Sequence, residues 1–176
     1  MDHKLKLMVV DDSPLFRTWL IHSLSEDDRF QVVGYAVNAL DAQEKIPLLQ
    51  PDMLTLDIEM PGITGIEAAQ RIREKDKDCC IIFLTAFDEF SYAKKAITIR
   101  ALDYLLKPYD EKELLLVLDE AMRIVDEYQT EEIRKTVTET TAGSPEGEGS
   151  GPGAAVVNGT GGDPMVETRL TDLIYQ

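Results

Sequence analysis

Positive charge is scarce in this sequence: 18 lysines and arginines face 33 aspartates and glutamates, leaving a net charge of -15. Such a surface repels phosphate backbones and anionic headgroups, so direct nucleic-acid binding and attachment to an anionic membrane are disfavoured. Protein partners and cations are the natural ligands. Cysteine is almost as scarce. Cys79 and Cys80 stand side by side at the head of an apolar run, which is neither a disulfide framework nor a zinc-ligand spacing; they read as small buried hydrophobes. No stretch approaches the roughly 18 consecutive apolar residues of a membrane helix, and the first residues carry no signal-peptide apolar segment. The expectation from these absences is a reducing, cytoplasmic setting with no membrane partner.

What is present is 44% hydrophobic content in 176 residues, enough for one domain with a substantial core. Apolar runs recur at residues 5–10, 30–36, 53–56, 81–84 and 102–106. Each is short and bounded by turn residues, as strands buried on both faces are. Helical patterns separate them. Ser13-Pro14 is a helix start, a capping hydroxyl ahead of a proline at the first helical position, and Phe16, Trp19, Leu20 and Leu24 follow at helical spacing, which makes Trp19 a core residue in expectation. Asn38 caps a second helix to about Leu49, with Pro47 expected to fray its last turn. Further helices are predicted over about 64–74, 88–98 and 110–128, the last with an apolar stripe of Leu114, Val117, Leu118, Ala121, Ile124 and Val125. Strands alternating with helices predict an α/β fold with a parallel sheet covered on both faces.

The composition changes past about residue 138. Eight of the eleven glycines lie in "GSPEGEGSGPGAAVVNGTGG", which has too little apolar surface to offset its ordering entropy. The organisation expected is a folded domain over 4–128, a helix extension or linker over 129–138, a flexible Gly-rich linker over 139–164, and a short amphipathic helix over 165–176. That last piece, with Val166, Leu170 and Ile174 on one face, suits a helix-in-groove contact. Heptad frames through Leu114 or Leu118 place Glu131 or Glu132 in the seam, which argues against a coiled coil over 129–138.

In an open parallel sheet, ligands gather beyond the carboxyl ends of the strands. There the first strand runs into Asp11-Asp12, the third into Asp57, the fourth into Thr85 and the fifth into Lys107-Pro108. Carboxylates converging at one edge repel one another unless a cation neutralises them, and hard oxygen ligands with open water positions suit Mg2+. A lysine and a hydroxyl beside that metal complete a cradle for phosphoryl oxygens.

The stretches "MVVDDSP", "LTLDIEMPGITGIE", "IIFLTAF" and "ALDYLLKP" together resemble the receiver domains of two-component response regulators, over roughly residues 4–128. The resemblance implies a doubly wound five-stranded parallel sheet in the flavodoxin-like order 2-1-3-4-5 with five helices, an order for which receivers are a standard example. It implies that Asp57 is the phosphoacceptor, that Asp12 and Asp57 bind Mg2+ directly with Asp11 acting through water, and that the Glu59 backbone carbonyl is a further ligand. Lys107 would pair with phosphoryl oxygens, Thr85 would hydrogen-bond to them, and Tyr104 would be the aromatic switch. The Lys107-Pro108 bond is expected to be cis.

The partners implied are a sensor histidine kinase or phosphotransfer protein upstream, and an output protein or a phosphorylation-dependent homodimer downstream. Such a chain promotes its own phosphotransfer and dephosphorylation without a separate catalytic domain. The "FDEFSYAKKAI" and "ALDYLLKP" stretches resemble regulators with an AraC-type DNA-binding domain, whereas "DSP" and "DMLTLDIEMPG" resemble the receiver of chemotaxis methylesterases. No helix-turn-helix, basic helix or nucleophile motif stands in residues 129–176. Two alternatives compete. A haloacid-dehalogenase-like phosphohydrolase needs a second aspartate two residues after the nucleophile, where this chain has Glu59. A receiver-like interaction module indifferent to phosphate has no need of the set Asp11, Asp12, Asp57, Thr85 and Lys107.

Overall fold

In a computed structural model of the chain, residues 4–141 are described. The expected Gly-rich linker and C-terminal amphipathic helix lie outside the described residues. The elements are β1 (Leu5–Val10), α1 (Pro14–Ser25), β2 (Phe30–Ala36), α2 (Ala39–Leu49), β3 (Met53–Leu56), α3 (Gly65–Lys75), β4 (Cys80–Thr85), α4 (Phe90–Ile99), β5 (Asp103–Leu106) and α5 (Glu111–Thr141). The five strands form one sheet in the order β2-β1-β3-β4-β5, every pair parallel.

Strand periodicity divides the core in two. Leu5, Leu7, Val9, Met53, Ile82 and Leu84 pack on one face with Leu20 and Leu24 of α1 and Leu114, Leu118 and Ala121 of α5. Met8, Val10, Leu54, Leu56, Ile81 and Phe83 pack on the other with residues of α2, α3 and α4. Cys79 and Cys80 are both free thiols buried in these clusters, and burial raises the Cys80 thiol to about 11, so neither is a reactive nucleophile at neutral pH. Helix starts follow the side-chain caps that the sequence offers. Ser13 Oγ accepts from the Phe16 N–H, Asn38 Oδ1 from Asp41 and Thr64 Oγ1 from Glu67.

Two expectations need correction. Trp19 is not a core residue: it is 43% exposed on the flank of α1, where its ring packs on Phe16 and Tyr109. The apolar spacing that suggested burial is satisfied by Leu20 and Leu24 instead. The second helix ends at Leu49 as expected, and its last turn closes past Pro47, the Gln50 N–H donating to the Ile46 carbonyl at 2.8 Å. The fifth helix runs past its expected end near Tyr128 to Thr141, so of the two possibilities for residues 129–138 it is the helix extension that is found. Its buried stripe stops at Val125, yet no glycine or proline interrupts the chain until Gly143. Past the core the chain mixes good helix formers such as Glu131, Arg134 and Lys135 with threonines, and the hydroxyls of Thr130, Thr136, Thr138 and Thr140 donate to carbonyls four residues earlier within the same helix.

Residues 130–140 are all exposed. Ending the chain after Gln129 is therefore expected to move the thermal midpoint by less than about 4 °C, as differential scanning calorimetry would record. A larger drop would mean that the extension contributes to the domain's packing.

Candidate functional site

The sheet's hydrogen bonds set out the site. Past the end of β1, the Asp11 N–H donates to the Ala36 carbonyl; past β3, the Asp57 N–H donates to Val10; past β5, the Lys107 N–H donates to Thr85 at 2.7 Å. The pairing therefore holds each residue in register just beyond its strand, and because β1 and β3 are neighbours, Asp11 and Asp57 are adjacent. Lys107 starts two strand spacings away from Asp57, about 10 Å, and its long side chain spans the gap.

Carboxylate oxygens of Asp11, Asp12 and Asp57 lie within 4.8 Å of one another. Asp11 and Asp57 are buried, while Asp12 is exposed at the mouth. Asp11 is held on both oxygens: Oδ1 accepts from the Ser13 N–H at 2.9 Å and Oδ2 from the Lys107 ammonium at 2.7 Å. The same ammonium stands 3.6 Å from Asp57 Oδ2. Among the described residues one ammonium stands between these carboxylates, while the Arg17 guanidinium donates to the Asp11 backbone carbonyl at 2.7 Å, so the three carboxylates outweigh the ammonium among them. Burial, opposed by Lys107 and reinforced by Asp11 and Asp12, pushes the Asp57 carboxyl up to about 7. An all-oxygen, net-anionic donor set open to water on one side is what a hard divalent cation requires.

The other two expected residues lie on the flank of this pocket. Thr85 is fully buried, and its hydroxyl accepts from the Phe87 N–H at 3.3 Å. The Tyr104 ring is buried, and its hydroxyl donates to the Phe87 carbonyl at 2.5 Å. Thr85 and Tyr104 thus hold the two backbone groups of one residue, Phe87, whose own ring is exposed in the loop between β4 and α4. The Lys107-Pro108 peptide is cis, as expected.

Glu59 has a partner that the sequence did not reveal. Its carboxylate accepts from the Tyr92 hydroxyl, tying the loop after β3 to α4. Spacing in sequence carries no trace of such a pair, which are 33 residues apart. Gly65 is likewise essential without having been singled out. A Cβ there would lie 2.0 Å from the Asp57 carbonyl oxygen, so only glycine lets α3 start against the end of β3. A signal existed in the Gly62-Ile63-Thr64-Gly65 spacing, but nothing in it distinguishes a turn glycine from a contact glycine. Arg73 was also missed. Its guanidinium donates to the carbonyls of Ile99 and Cys79, fastening α3 to the end of α4 and the start of β4.

Among the described residues no helix is long and apolar enough to cross a membrane. Residues 7–119 match the model of the response regulator receiver domain. The chain is 44% identical over 110 residues to the transcriptional regulatory protein BtsR of Escherichia coli strain K12, a match covering 62% of this chain and 45% of BtsR. It is 36% identical over 119 residues to the chemotaxis protein CheY of Listeria monocytogenes, covering 68% of this chain and 99% of that protein. The crystal structure of a CheX-CheY-BeF3-Mg complex from Borrelia burgdorferi superposes with a TM-score of 0.63 at 25% identity, over 67% of this chain and 89% of that one. The chain spans less than half the length of BtsR, and nearly all of the Listeria CheY. With its fold, its acidic pocket and these likenesses in agreement, the chain belongs to the response regulator receiver domain family.

Proposed function

We propose that this chain is the phosphoacceptor switch of a two-component system, with Asp57 accepting a phosphoryl group from the phosphohistidine of a sensor histidine kinase or phosphotransfer protein. The observation that carries the reading is the single ammonium of Lys107 shared between Asp11 and Asp57 beside a third carboxylate. That arrangement is short of positive charge until a metal and a phosphoryl group enter. An Asp57 oxygen attacks phosphorus in line, the bond from phosphorus to the imidazole nitrogen breaks, and the electron pair leaves with the imidazole. Mg2+, held by Asp12 and Asp57 with Asp11 and the Glu59 backbone carbonyl, supplies charge neutralisation at the phosphoryl oxygens when bound. Lys107 moves from Asp11 to those oxygens. The Borrelia CheY, solved with BeF3, Mg and CheX, supports both the metal and a protein partner.

The new phosphate adds about -1.5 to -2 charge next to Thr85. Drawing the Thr85 hydroxyl to a phosphoryl oxygen releases the Phe87 N–H, and the Tyr104 hydroxyl on the Phe87 carbonyl carries the change to the loop before α4. Phe87, Phe90 and Leu106 are exposed on this side, and the surface formed by α4, β5 and α5 is the face offered to an output protein or to a second copy. The net charge of -15 supports a protein, rather than nucleic acid or an anionic membrane, as the direct partner of this domain.

Incubation with Mg2+ and acetyl phosphate, followed by Phos-tag electrophoresis, tests the reading. Wild-type chain should gain one base-labile phosphate. Asp57→Ala should gain none, and Asp12→Ala should slow at least about tenfold through weaker metal binding. Lys107→Ala should keep metal affinity, since its amine is no Mg2+ ligand, yet lose the mobility of the Phe87 loop on phosphorylation. Thr85→Ala should still take phosphate and transmit it poorly to Tyr104. An Asp57→Ala chain phosphorylated at the wild-type rate would overturn the assignment, and a wild-type chain that takes no phosphate would favour an interaction module.

A further inference from the structure

Lys107 faces more than carboxylates. Its ammonium nitrogen lies 3.8 Å above the centroid of the Phe16 ring, on the first turn of α1. A cation over a ring face is attracted by the ring's quadrupole, most strongly where water is excluded, and only 16% of the Lys107 side chain is exposed. Phe16 does not stand alone. Its ring packs on Trp19 at 5.8 Å and meets Tyr109 edge-on at 5.9 Å, and Trp19 and Tyr109 close the triangle at 5.9 Å. Tyr109 follows Lys107 by two residues, so the triangle grips both the lysine's ammonium and its loop. The Tyr109 hydroxyl is buried with no hydrogen-bond partner, so what fixes that side chain is the ring packing. At the outer corner, Trp19 is half-exposed beside the exposed Leu15.

We propose that Phe16 is a positioning residue for Lys107, and that the Phe16, Trp19 and Tyr109 rings carry the position of the Lys107 ammonium out to the surface of α1. This rests on the phosphoacceptor reading given above. Asp11 Oδ2 at 2.7 Å and the Phe16 face at 3.8 Å hold one ammonium between them. The ring is an uncharged second seat beside the Asp11 ion pair, so part of the hold on the cation involves no carboxylate, and it lets go when phosphoryl oxygens arrive. Without the ring the ammonium is held by Asp11 alone and is less well aimed at the place that phosphoryl oxygens enter. Movement of the ammonium off the ring changes the Phe16 packing on Trp19, which is the only tryptophan in the chain.

The test uses the full chain and three variants. In carbon-13 NMR spectra of the wild type, the Lys107 ε-methylene signals, identified by their absence in Lys107→Arg, should lie upfield of the other lysines because of the ring current. Phe16→Met fills similar space with no ring and should lose that shift, while Phe16→Tyr should keep it. Trp19 emission should change on adding Mg2+ and acetyl phosphate in the wild type and in Phe16→Tyr, and stay flat in Phe16→Met. Phosphate uptake should fall about tenfold in Phe16→Met, the effect of losing a partly desolvated cation–π contact, and return in Phe16→Tyr. An unshifted Lys107 signal in the wild type would overturn the proposal even if Phe16→Met failed to fold. So would a Phe16→Met chain with wild-type uptake and an intact Trp19 response. If the wild type takes no phosphate at all, the phosphoacceptor reading fails, while the ring-current shift still decides whether Phe16 seats the lysine.

Discussion

Gly65→Ala should lower the unfolding free energy by about 3 kcal/mol or more, measured by urea denaturation. The added Cβ would stand 2.0 Å from the Asp57 carbonyl oxygen and 2.8 Å from both the Asp57 carbonyl carbon and Ile58 Cα. All three are backbone atoms of the segment that ends β3, so none can rotate aside. Relief requires α3 to back away from the sheet, which stretches the 2.8 Å bond from the Gly65 N–H to the Ile58 carbonyl and moves the loop that carries Glu59. Phosphate uptake should therefore fall even in the folded fraction. Gly34 provides the contrast. A Cβ there meets only Leu49 Cδ1 at 2.7 Å, the free end of a flexible side chain, and Gly34→Ala should cost less than about 1 kcal/mol. Gly62→Ala falls between: nothing lies within 4 Å, but its φ of +86° imposes a left-handed penalty of about 1–2 kcal/mol. Equal effects at Gly65 and Gly34 would show that α3 can shift freely on the strand end.

Asp57→Asn should stabilise the metal-free chain at about pH 8 by on the order of 2 kcal/mol, roughly half of what the full shift carries, because water enters the pocket at exposed Asp12 and screens the charge. The sign follows from the direction of the shift. An Asp57 carboxyl ionises near 3.8 when unfolded and near 7 in the fold. Below the lower value it is protonated in both states and costs nothing. Between the two, the folded chain keeps a proton that the unfolded chain has released, so stability drops as pH rises, and above about 7 the full penalty persists. The difference in stability between Asp57→Asn and wild type should thus be near zero at about pH 4, grow to about pH 7 and then level off; subtracting the two curves cancels the other titrating groups. Mg2+ should reverse the order. At a hundred times its dissociation constant a bound ion contributes about 2.7 kcal/mol, and Asp57→Asn, lacking one anionic ligand, should gain much less. A difference curve that is flat with pH would show that the Asp57 carboxylate is not strained by its burial.

Much of this was legible in the chain itself. Leu5–Val10, Phe30–Ala36 and Met53–Leu56 begin and end where the apolar runs do, because a strand buried on both faces has no other way to be written. The caps at Ser13 and Asn38 and the acidic residues at the strand ends are local patterns, and local patterns survive in one dimension. The places where the reading failed share a different character. Trp19 has the spacing of a core residue, but which side of α1 is covered depends on how α1 crosses the sheet. The fifth helix outruns its buried stripe because hydrogen bonding and propensity continue where tertiary contact has ceased.

What sequence order alone determined is the alternation of strands and helices, and with it the convergence of Asp11, Asp12, Asp57, Thr85 and Lys107 on one sheet edge. Tertiary structure decided which of them touch. Lys107 reaches Asp11 across two strands, Glu59 finds Tyr92, Tyr104 closes on the Phe87 carbonyl, and Phe16 offers its face to the lysine. Each of these contacts joins different elements of the chain. Their geometry is set by strand order, twist and the volume of intervening side chains, quantities that no short window of sequence contains.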